Sequence, residues 1–571
     1  MRGLAASVLV LALTLVGGPA GHSLLSATAD APDLAGIWKL LILSSGDDEV
    51  LILDLKMTDG KLAGTVPSAQ AFLGPLTTAE GTAEGNRVTI TFPAQGNPLV
   101  FRGVVGKDGK ALGTVRFRDT TYPARLEKSE ARAVAKMQAP PSRQELLEAQ
   151  ALPDAKERVA KVLELIRQNP GHPMNASAYG LLLSSAQAAG LGPAEVREQA
   201  ERWIGEARPY GPEWSADIQA RAVKALQGKK AYAELATELA LAADKALPTD
   251  AAPELRGNVV SMLARSARLA GKDEIAAEAE SRAGLIDAQL DAEYHEKVPP
   301  FKPEPFAGRT GGKGNRTVVM EIFTGAECPP CVAADVAFDA LLRRYRPTEF
   351  IGLQYHLHIP GPDPLTGTDS VARQGYYGKE VPGTPSTFFN GKSEAGGGGP
   401  MARARAKYDE YLGVIEPALS SEKRADIEVT ATRAGDEVKI VARATAAPGD
   451  AATEARPKLR LVLIEESVRY PGGNKLRFHH NVVRALPGGV EGKALEGGKG
   501  AVEATIRLSD LRRSQGAYLD QYPKSPRSRG AFPNPLPPID LDDLAVVALV
   551  QDDADHSIWH AVQVPVKEVK P

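Results

Sequence analysis

Thr317-Val318-Val319-Met320-Glu321-Ile322-Phe323 is followed by Thr324-Gly325-Ala326-Glu327-Cys328-Pro329-Pro330-Cys331, and then by the alanine-rich segment Val332–Arg344. The first segment is apolar apart from Thr317 and Glu321 and rich in β-branched residues, which predicts a buried strand stopped by Thr324-Gly325. The third has apolar residues three and four apart, which predicts a helix. Cys328 therefore stands at a strand-to-helix turn with its sulfur near a helix N-terminus. Unpaired N–H groups and the positive end of the helix dipole favour the thiolate there, the form that attacks disulfides. Cys331, one turn on, is placed to resolve a mixed disulfide. Pro329 suits a first helical position because its missing N–H is not needed there.

The chain has 571 residues and two cysteines, both in this motif. A bridge that closes so short a loop removes little chain entropy, so stability is a poor reason for the pair. Two other readings stand beside a redox dithiol. One is zinc, which needs four ligands: His356 and His358, two apart on an expected strand and so on one face, supply two more, although the spacing matches no common zinc module. The other is an inert structural bridge.

Downstream, residues 350–359 read as the next strand and 370–377 as a short helix. Val381-Pro382-Gly383-Thr384-Pro385-Ser386-Thr387-Phe388-Phe389-Asn390-Gly391 reads as a loop entering a hairpin. In this order of strand, Cys-x-x-Cys helix, strand, helix, Thr-Pro loop and Asn-Gly turn, residues 315–419 resemble the thioredoxin-like fold. The Glu-Ile-Phe-Thr before the cysteines and the Tyr-His at the next strand end are similar to secreted bacterial thioredoxin-domain proteins. The resemblance implies thiol–disulfide exchange through a redox-active Cys328–Cys331 disulfide, with Cys328 as nucleophile, Cys331 as resolver, no cofactor and no metal. It also implies a cis Thr384-Pro385 bond beside the dithiol, shaping a substrate groove. The chain departs from thioredoxin proper where Glu327 replaces the usual tryptophan and Ile322 stands at the place of a buried aspartate. Glu321 alternates to the other strand face and does not substitute for it. Glu327 is expected to raise the thiol pKa. His358, at the carboxyl end of a parallel strand and so at the same sheet edge as Cys328, is expected to lower it when protonated, and His356 is a further candidate modulator. His479-His480 reads as a solvated pair.

Outside this region the pattern changes along the chain. Residues 1–29 read as a secretory signal: Arg2, an apolar run over 4–16, and Ala27-Thr28-Ala29 as a cleavage site. The run is shorter than the ~20 apolar residues of a membrane span. Residues 33–128 alternate in short strands between turns such as Asp59-Gly60 and Asp108-Gly109, which predicts a small antiparallel β-barrel. Residues 142–297 show helical periodicity broken at Asn169-Pro170-Gly171, Gly192-Pro193, Gly211-Pro212 and Leu247-Pro248, as in a repeat-like helical domain. A Pro- and Gly-rich linker follows at 298–314, and after the redox region new strand signals over 424–571 predict a β-sandwich containing a basic, proline-rich loop at 512–538. The expected class is thus multidomain, mixing α+β and α/β parts.

A hydrophobic fraction of 43% and a charged fraction of 24% are ordinary for globular chains. A formal net charge of -3 gives no general attraction to nucleic acid. Together these features predict a periplasmic or secreted thiol–disulfide oxidoreductase. Its expected partners are protein thiols or disulfides of the envelope and an electron donor or acceptor protein, with no nucleic acid and no transmembrane segment once the signal is removed. The alternative is a non-enzymatic envelope adaptor whose dithiol is a redox-sensitive switch. A peroxidase lacks its Thr-x-x-Cys, since Thr324 lies four residues before Cys328.

Overall fold

The computed structural model describes residues 33–93, 98–117, 120–137, 141–247, 251–309, 314–447, 455–533 and 536–569. The expected signal segment 1–29 lies outside them. The chain divides into two compact units, residues 1–290 and 291–571.

The first unit begins with β1 (Gly36–Ile42), β2 (Asp48–Thr58), β3 (Lys61–Ala69), β4 (Thr78–Glu84), β5 (Arg87–Phe92), β6 (Leu99–Val105), β7 (Ala111–Phe117) and β8 (Thr120–Lys128). Each pairs with the next and β8 pairs with β1, so the sheet is a closed antiparallel barrel. Closure removes the exposed edges a small sheet would otherwise carry. Strands alternate inward and outward: Val88, Ile90 and Phe92 point into a core with Trp38, Leu53, Phe101 and Leu126.

Eight helices follow: α1 (Pro141–Ala151), α2 (Ala155–Gln168), α3 (Ala176–Ala189), α4 (Pro193–Ala207), α5 (Pro212–Leu226), α6 (Ala233–Ala246), α7 (Pro253–Ala270) and α8 (Asp273–Lys297). Their boundaries have local causes. Asp154 caps α2 by accepting from the N–H of Lys156 and Glu157, and Pro193, Pro212 and Pro253 open their helices where no N–H is required. Leu41 and Leu43 of the barrel belong to the helical core with Val162, Tyr179 and Leu182, and Asp47 accepts from Arg125 at 2.8 Å and lies 3.0 Å from His172. The barrel thus keeps a core of its own, while Leu41 and Leu43 tie it to the helical core across the expected boundary between 128 and 142. A chain spanning 33–290 is expected to unfold in one cooperative transition, whereas 142–290 alone is expected to lose helical circular dichroism at lower urea. Equal midpoints for the two would contradict the shared core.

The second unit contains β9 (Val318–Thr324), α9 (Val332–Arg344), β10 (Phe350–His356), α10 (Thr368–Tyr377), β11 (Ser386–Phe389), β12 (Lys392–Ser393) and α11 (Ala404–Ala418). It continues with β13 (Ala425–Ala434), β14 (Glu437–Ala446), β15 (Pro457–Arg469), β16 (Phe478–Ala485), β17 (Lys493–Ala494), β18 (Lys499–Arg507), α12 (Leu508–Gln521), β19 (Leu544–Asp552), β20 (Ile558–Pro565) and β21 (Lys567–Glu568). Here the separation expected at 419–424 does not divide two sheets. β10 pairs in parallel with β16 through Gln354 and Val482, giving one nine-stranded sheet in the order β12-β11-β9-β10-β16-β15-β19-β20, with β17 on β15. A four-stranded sheet, β18-β14-β13-β21, packs on its C-terminal part through Val438, Ile440, Leu461 and Val546, so the sandwich shares a sheet with the cysteine-bearing strands.

β9 runs between two apolar layers. Val318, Met320 and Ile322 face α9 and α11 with Phe338 and Tyr411, while Val319 and Phe323 face a second cluster with Tyr355, Phe388 and Leu549. Burial of both faces is the usual condition of a parallel strand. The expected linker 298–314 is anchored over its described residues, because Phe301 stacks near Tyr408 at 5.1 Å and Phe306 near Tyr345 at 5.0 Å. The basic stretch expected as a loop begins instead inside α12, which buries Gln515 and Leu519. Among the described residues no helix is long and apolar enough to cross a membrane.

Candidate active site around the Cys328–Cys331 disulfide

β9 ends at Thr324, and the turn through Glu327 delivers Cys328 in an extended conformation at the head of a short 3-10 turn, Pro329–Cys331, that runs into α9. The tight turn suits two successive prolines, which donate no N–H. Cys331 N–H donates to Cys328 O at 3.0 Å. The cysteines form a disulfide with Cα atoms 5.4 Å apart, and both residues are fully buried.

Thr384 is the immediate neighbour of the outer sulfur. Its hydroxyl lies 3.3 Å from Cys328 Sγ and 3.0 Å from Ile359 O, so it can donate to either, and Thr384 O is 3.8 Å from the same sulfur. A reduced Cys328 thus has an acceptor for its thiol proton and a donor for its thiolate. The Thr384-Pro385 bond is cis. Pro385 also packs against Gly398, where a Cβ would come 2.8 Å from the proline ring and 2.0 Å from Pro330 O. Only glycine lets the 396–399 loop run this close to the dithiol turn.

Glu327 is held away from a free role beside Cys328. Its carboxylate accepts from Tyr470 Oη at 2.9 Å and from Gly473 N–H at 3.1 Å. Asn474 N–H donates to Ala326 O at 2.9 Å, and a Cβ on Gly472 would sit 2.3 Å from that same oxygen. The Tyr470–Asn474 loop, contributed by the β15–β16 connection, therefore packs backbone to backbone on the turn that carries the cysteines.

The histidines differ from expectation. His358 lies beyond the end of β10, stacked on Tyr522 with ring centroids 3.5 Å apart, its Nε2 3.1 Å from Tyr518 Oη and its Nδ1 accepting from Asp363 N–H at 3.0 Å. Burial lowers its pKa to about 4, so the ring is neutral at physiological pH and supplies no imidazolium to Cys328. His356 is wholly buried, with Nδ1 2.8 Å from Asp363 Oδ2 and Nε2 3.2 Å from Gln354 Oε1. The two rings meet Asp363 from different sides, His356 at its carboxylate and His358 at its N–H, and among the described residues no group of three or more His, Cys, Asp or Glu is arranged to hold a metal ion. His479 and His480 are not a solvated pair. Burial lowers His479 to about 3, while the Asp339 carboxylate, 2.9 Å from His480 Nδ1, raises His480 against the effect of its burial.

Sequence reasoning missed the buried acids beneath the turn. Asp335, one helical turn after Cys331, accepts from Thr324 Oγ1 at 2.9 Å and from Gln354 Nε2 at 3.4 Å. Burial pushes its carboxyl well above the usual range. The spacing of four from Cys331 was the available signal, since residues so spaced share a helix face. Asp363 is held low although burial opposes it, because His356 and the N–H groups of Leu365 and Ala326 stabilise the carboxylate. Gln354 and His356 thus link Asp335 to Asp363, which in turn holds Ala326 of the dithiol turn at 2.6 Å. On the other face Glu321 is paired with Arg373 at 2.8 Å.

No family model matches the chain, and no curated protein matches it. Among solved structures the chain is similar to HBP35 of Porphyromonas gingivalis, at 18% identity over 46% of this chain and 78% of that one, with a TM-score of 0.32. It is also similar to a domain of the outer membrane lipoprotein Omp28 from Porphyromonas gingivalis, at 14% identity over 25% of this chain and 97% of that one, with a TM-score of 0.16. At these scores neither likeness carries the reading of the site, which rests on the geometry above.

Proposed function

We propose that this chain is a thiol–disulfide oxidoreductase of thioredoxin-like type acting on proteins of the bacterial envelope or secreted space. The observation that supports it most is the Cys328–Cys331 disulfide at the junction of a buried parallel strand and α9, with both Thr384 oxygens beside Cys328 Sγ. In the reducing direction the Cys328 thiolate attacks a substrate disulfide, forming a mixed disulfide and releasing one substrate thiolate, which takes up a proton. Cys331 gives its proton to a base and attacks Cys328 Sγ, which expels the second substrate sulfur and leaves the Cys328–Cys331 disulfide. A donor dithiol protein then restores the pair, and the reverse sequence oxidises substrates.

The base we assign to this step is Asp335, buried four residues after Cys331. Its raised pKa brings it nearer the thiol range, where proton transfer is most effective. Asp335→Asn is expected to slow the resolving step about 10²-fold while leaving mixed-disulfide formation by Cys328 unchanged, as read by single-turnover stopped flow. The same variant reports linkage. An acid whose folded pKa lies above its unfolded value destabilises the fold progressively as pH rises from the unfolded pKa through the folded one, so Asp335→Asn is expected to be the more stable protein at pH 8. A slowed first step, or a wild-type advantage at pH 8, would remove Asp335 from this role.

A second reading, a binding adaptor with a redox-sensitive switch, is favoured by the full burial of both cysteines beneath two closely packed loops. Insulin reduction driven by dithiothreitol separates the two. Turnover supports the oxidoreductase; no turnover by a protein whose own disulfide is readily reduced supports the adaptor.

A further inference from the structure

The sheet face that carries α10 holds two buried arginines, Arg373 of α10 and Arg460 of β15, with side chains 2% and 4% exposed. Most of their donors are accounted for. Arg373 Nε and Nη2 bond Glu321, and Nη2 also bonds Gln551 Oε1 at 2.8 Å. Arg460 Nε donates to Val490 O at 2.8 Å and Nη2 to Asp553 Oδ1 at 2.5 Å. What remains is the Nη1 of each guanidinium, buried and without a hydrogen-bond partner among the described residues. The two side chains line one small cavity, together with Tyr355, Leu486, Val490 and Leu549. Both guanidinium carbons also approach the ring of Tyr376, at 4.6 and 4.8 Å.

Guanidinium groups do not deprotonate, so each Nη1 is a permanent donor whose burial without an acceptor is costly. Tyr355 also lines the cavity, its phenol interacting with the Glu321–Arg373 pair. Burial and the neighbouring Glu321 charge keep its phenol protonated. The cavity is thus bordered by two arginines with unsatisfied cationic donors, against a wall that is otherwise mostly aliphatic. A water molecule could accept from these groups but would find poor acceptors for its own hydrogens. An anion accepts from both and has nothing to donate. The cavity admits a single water-sized particle, which excludes phosphate esters and nucleotides.

We propose that Arg373 and Arg460 form a buried site for one monatomic anion of the halide class. The site is independent of the dithiol chemistry and gives the two Nη1 groups the acceptor that Glu321 and Asp553 do not supply.

The test uses the full chain. Thermal unfolding is compared in sodium chloride, sodium bromide and sodium gluconate at equal ionic strength, and bromide-soaked crystals are measured at the bromine absorption edge. The halides are expected to raise the Tm by about 2 °C or more over gluconate, and an anomalous peak is expected between Arg373 and Arg460. Arg460→Lys, which keeps a cation for Asp553 but removes the Nη1 donor, is expected to abolish the increment. Should that variant fail to fold, the anomalous peak in the unaltered protein decides. Equal Tm in all three salts with a water only at the site, or a halide increment that persists in folded Arg460→Lys, would overturn the assignment.

Discussion

Cys331→Ser is expected to accumulate mixed disulfides with its natural partners, whereas Cys328→Ser is expected to form none and to lose insulin turnover down to the rate of the uncatalysed reaction. The asymmetry comes from position. Cys328 lies beside Thr384, whose hydroxyl donates toward its sulfur and whose carbonyl is set to accept a thiol proton. Cys331 stands at the N-cap of α9, four residues before Asp335, and is fully buried. Attack by Cys328 creates the covalent intermediate, and only Cys331 can end it intramolecularly. Removing the resolver strands that intermediate; removing the nucleophile prevents it. Non-reducing electrophoresis of envelope extracts would display the adducts, and mass spectrometry of the trapped species would name the substrates. Equal trapping by both variants, or none by Cys331→Ser while the unaltered protein turns over insulin, would reverse or remove the assignment of roles.

How far this site could be read in advance depended on whether its causes are local. The strand over 317–323 and the helix after Cys331 follow from periodicity within one segment, and they appear as β9 and α9 within a residue or two. Thr384 reached the sulfur through family resemblance, since nothing in its own neighbourhood requires the contact. His358 failed because its pKa is lowered by burial, and Tyr518 and Tyr522, which pack on its ring, lie more than 150 residues later in the chain. Glu327 is fixed by Tyr470 and Gly473 for the same kind of reason. The parallel pairing of β10 with β16 was equally hidden, because alternation of side chains tells which face is buried but not which strand lies alongside. Asp335 was visible by spacing, but its importance comes from complete burial, and burial is a property of the assembled layers.

Arg373→Met is expected to destabilise the second unit by about 3–5 kcal/mol, the usual cost of leaving a buried charge without its partner. Glu321 lies inside the sheet, fully buried, and is offered Arg373 Nε and Nη2 at 2.8 and 3.0 Å along with the Tyr377 hydroxyl. Burial alone would raise its pKa; the guanidinium charge and these donors outweigh it, so the carboxyl stands below its ordinary value. A depressed folded pKa contributes stability that is present above the unfolded value, about 4.3 for an ordinary glutamate, and that is lost as pH falls through the folded pKa. Without Arg373 the sign reverses. Burial then raises Glu321 above its unfolded value, and stability declines as pH increases from about 4.3 upward, because only the unfolded chain ionises freely. Urea titrations at pH 5 and pH 8 are therefore expected to show Arg373→Met weaker at pH 8 than at pH 5, with the unaltered protein lacking that loss. Adding Glu321→Gln to Arg373→Met is expected to recover a substantial part of the deficit, since an amide carries no charge to strand. A single-variant cost below about 1 kcal/mol would show that the pair is replaceable by packing alone, and a deficit unchanged by Glu321→Gln would place its origin in lost contacts with Tyr376 and Gln551 and not in the carboxylate.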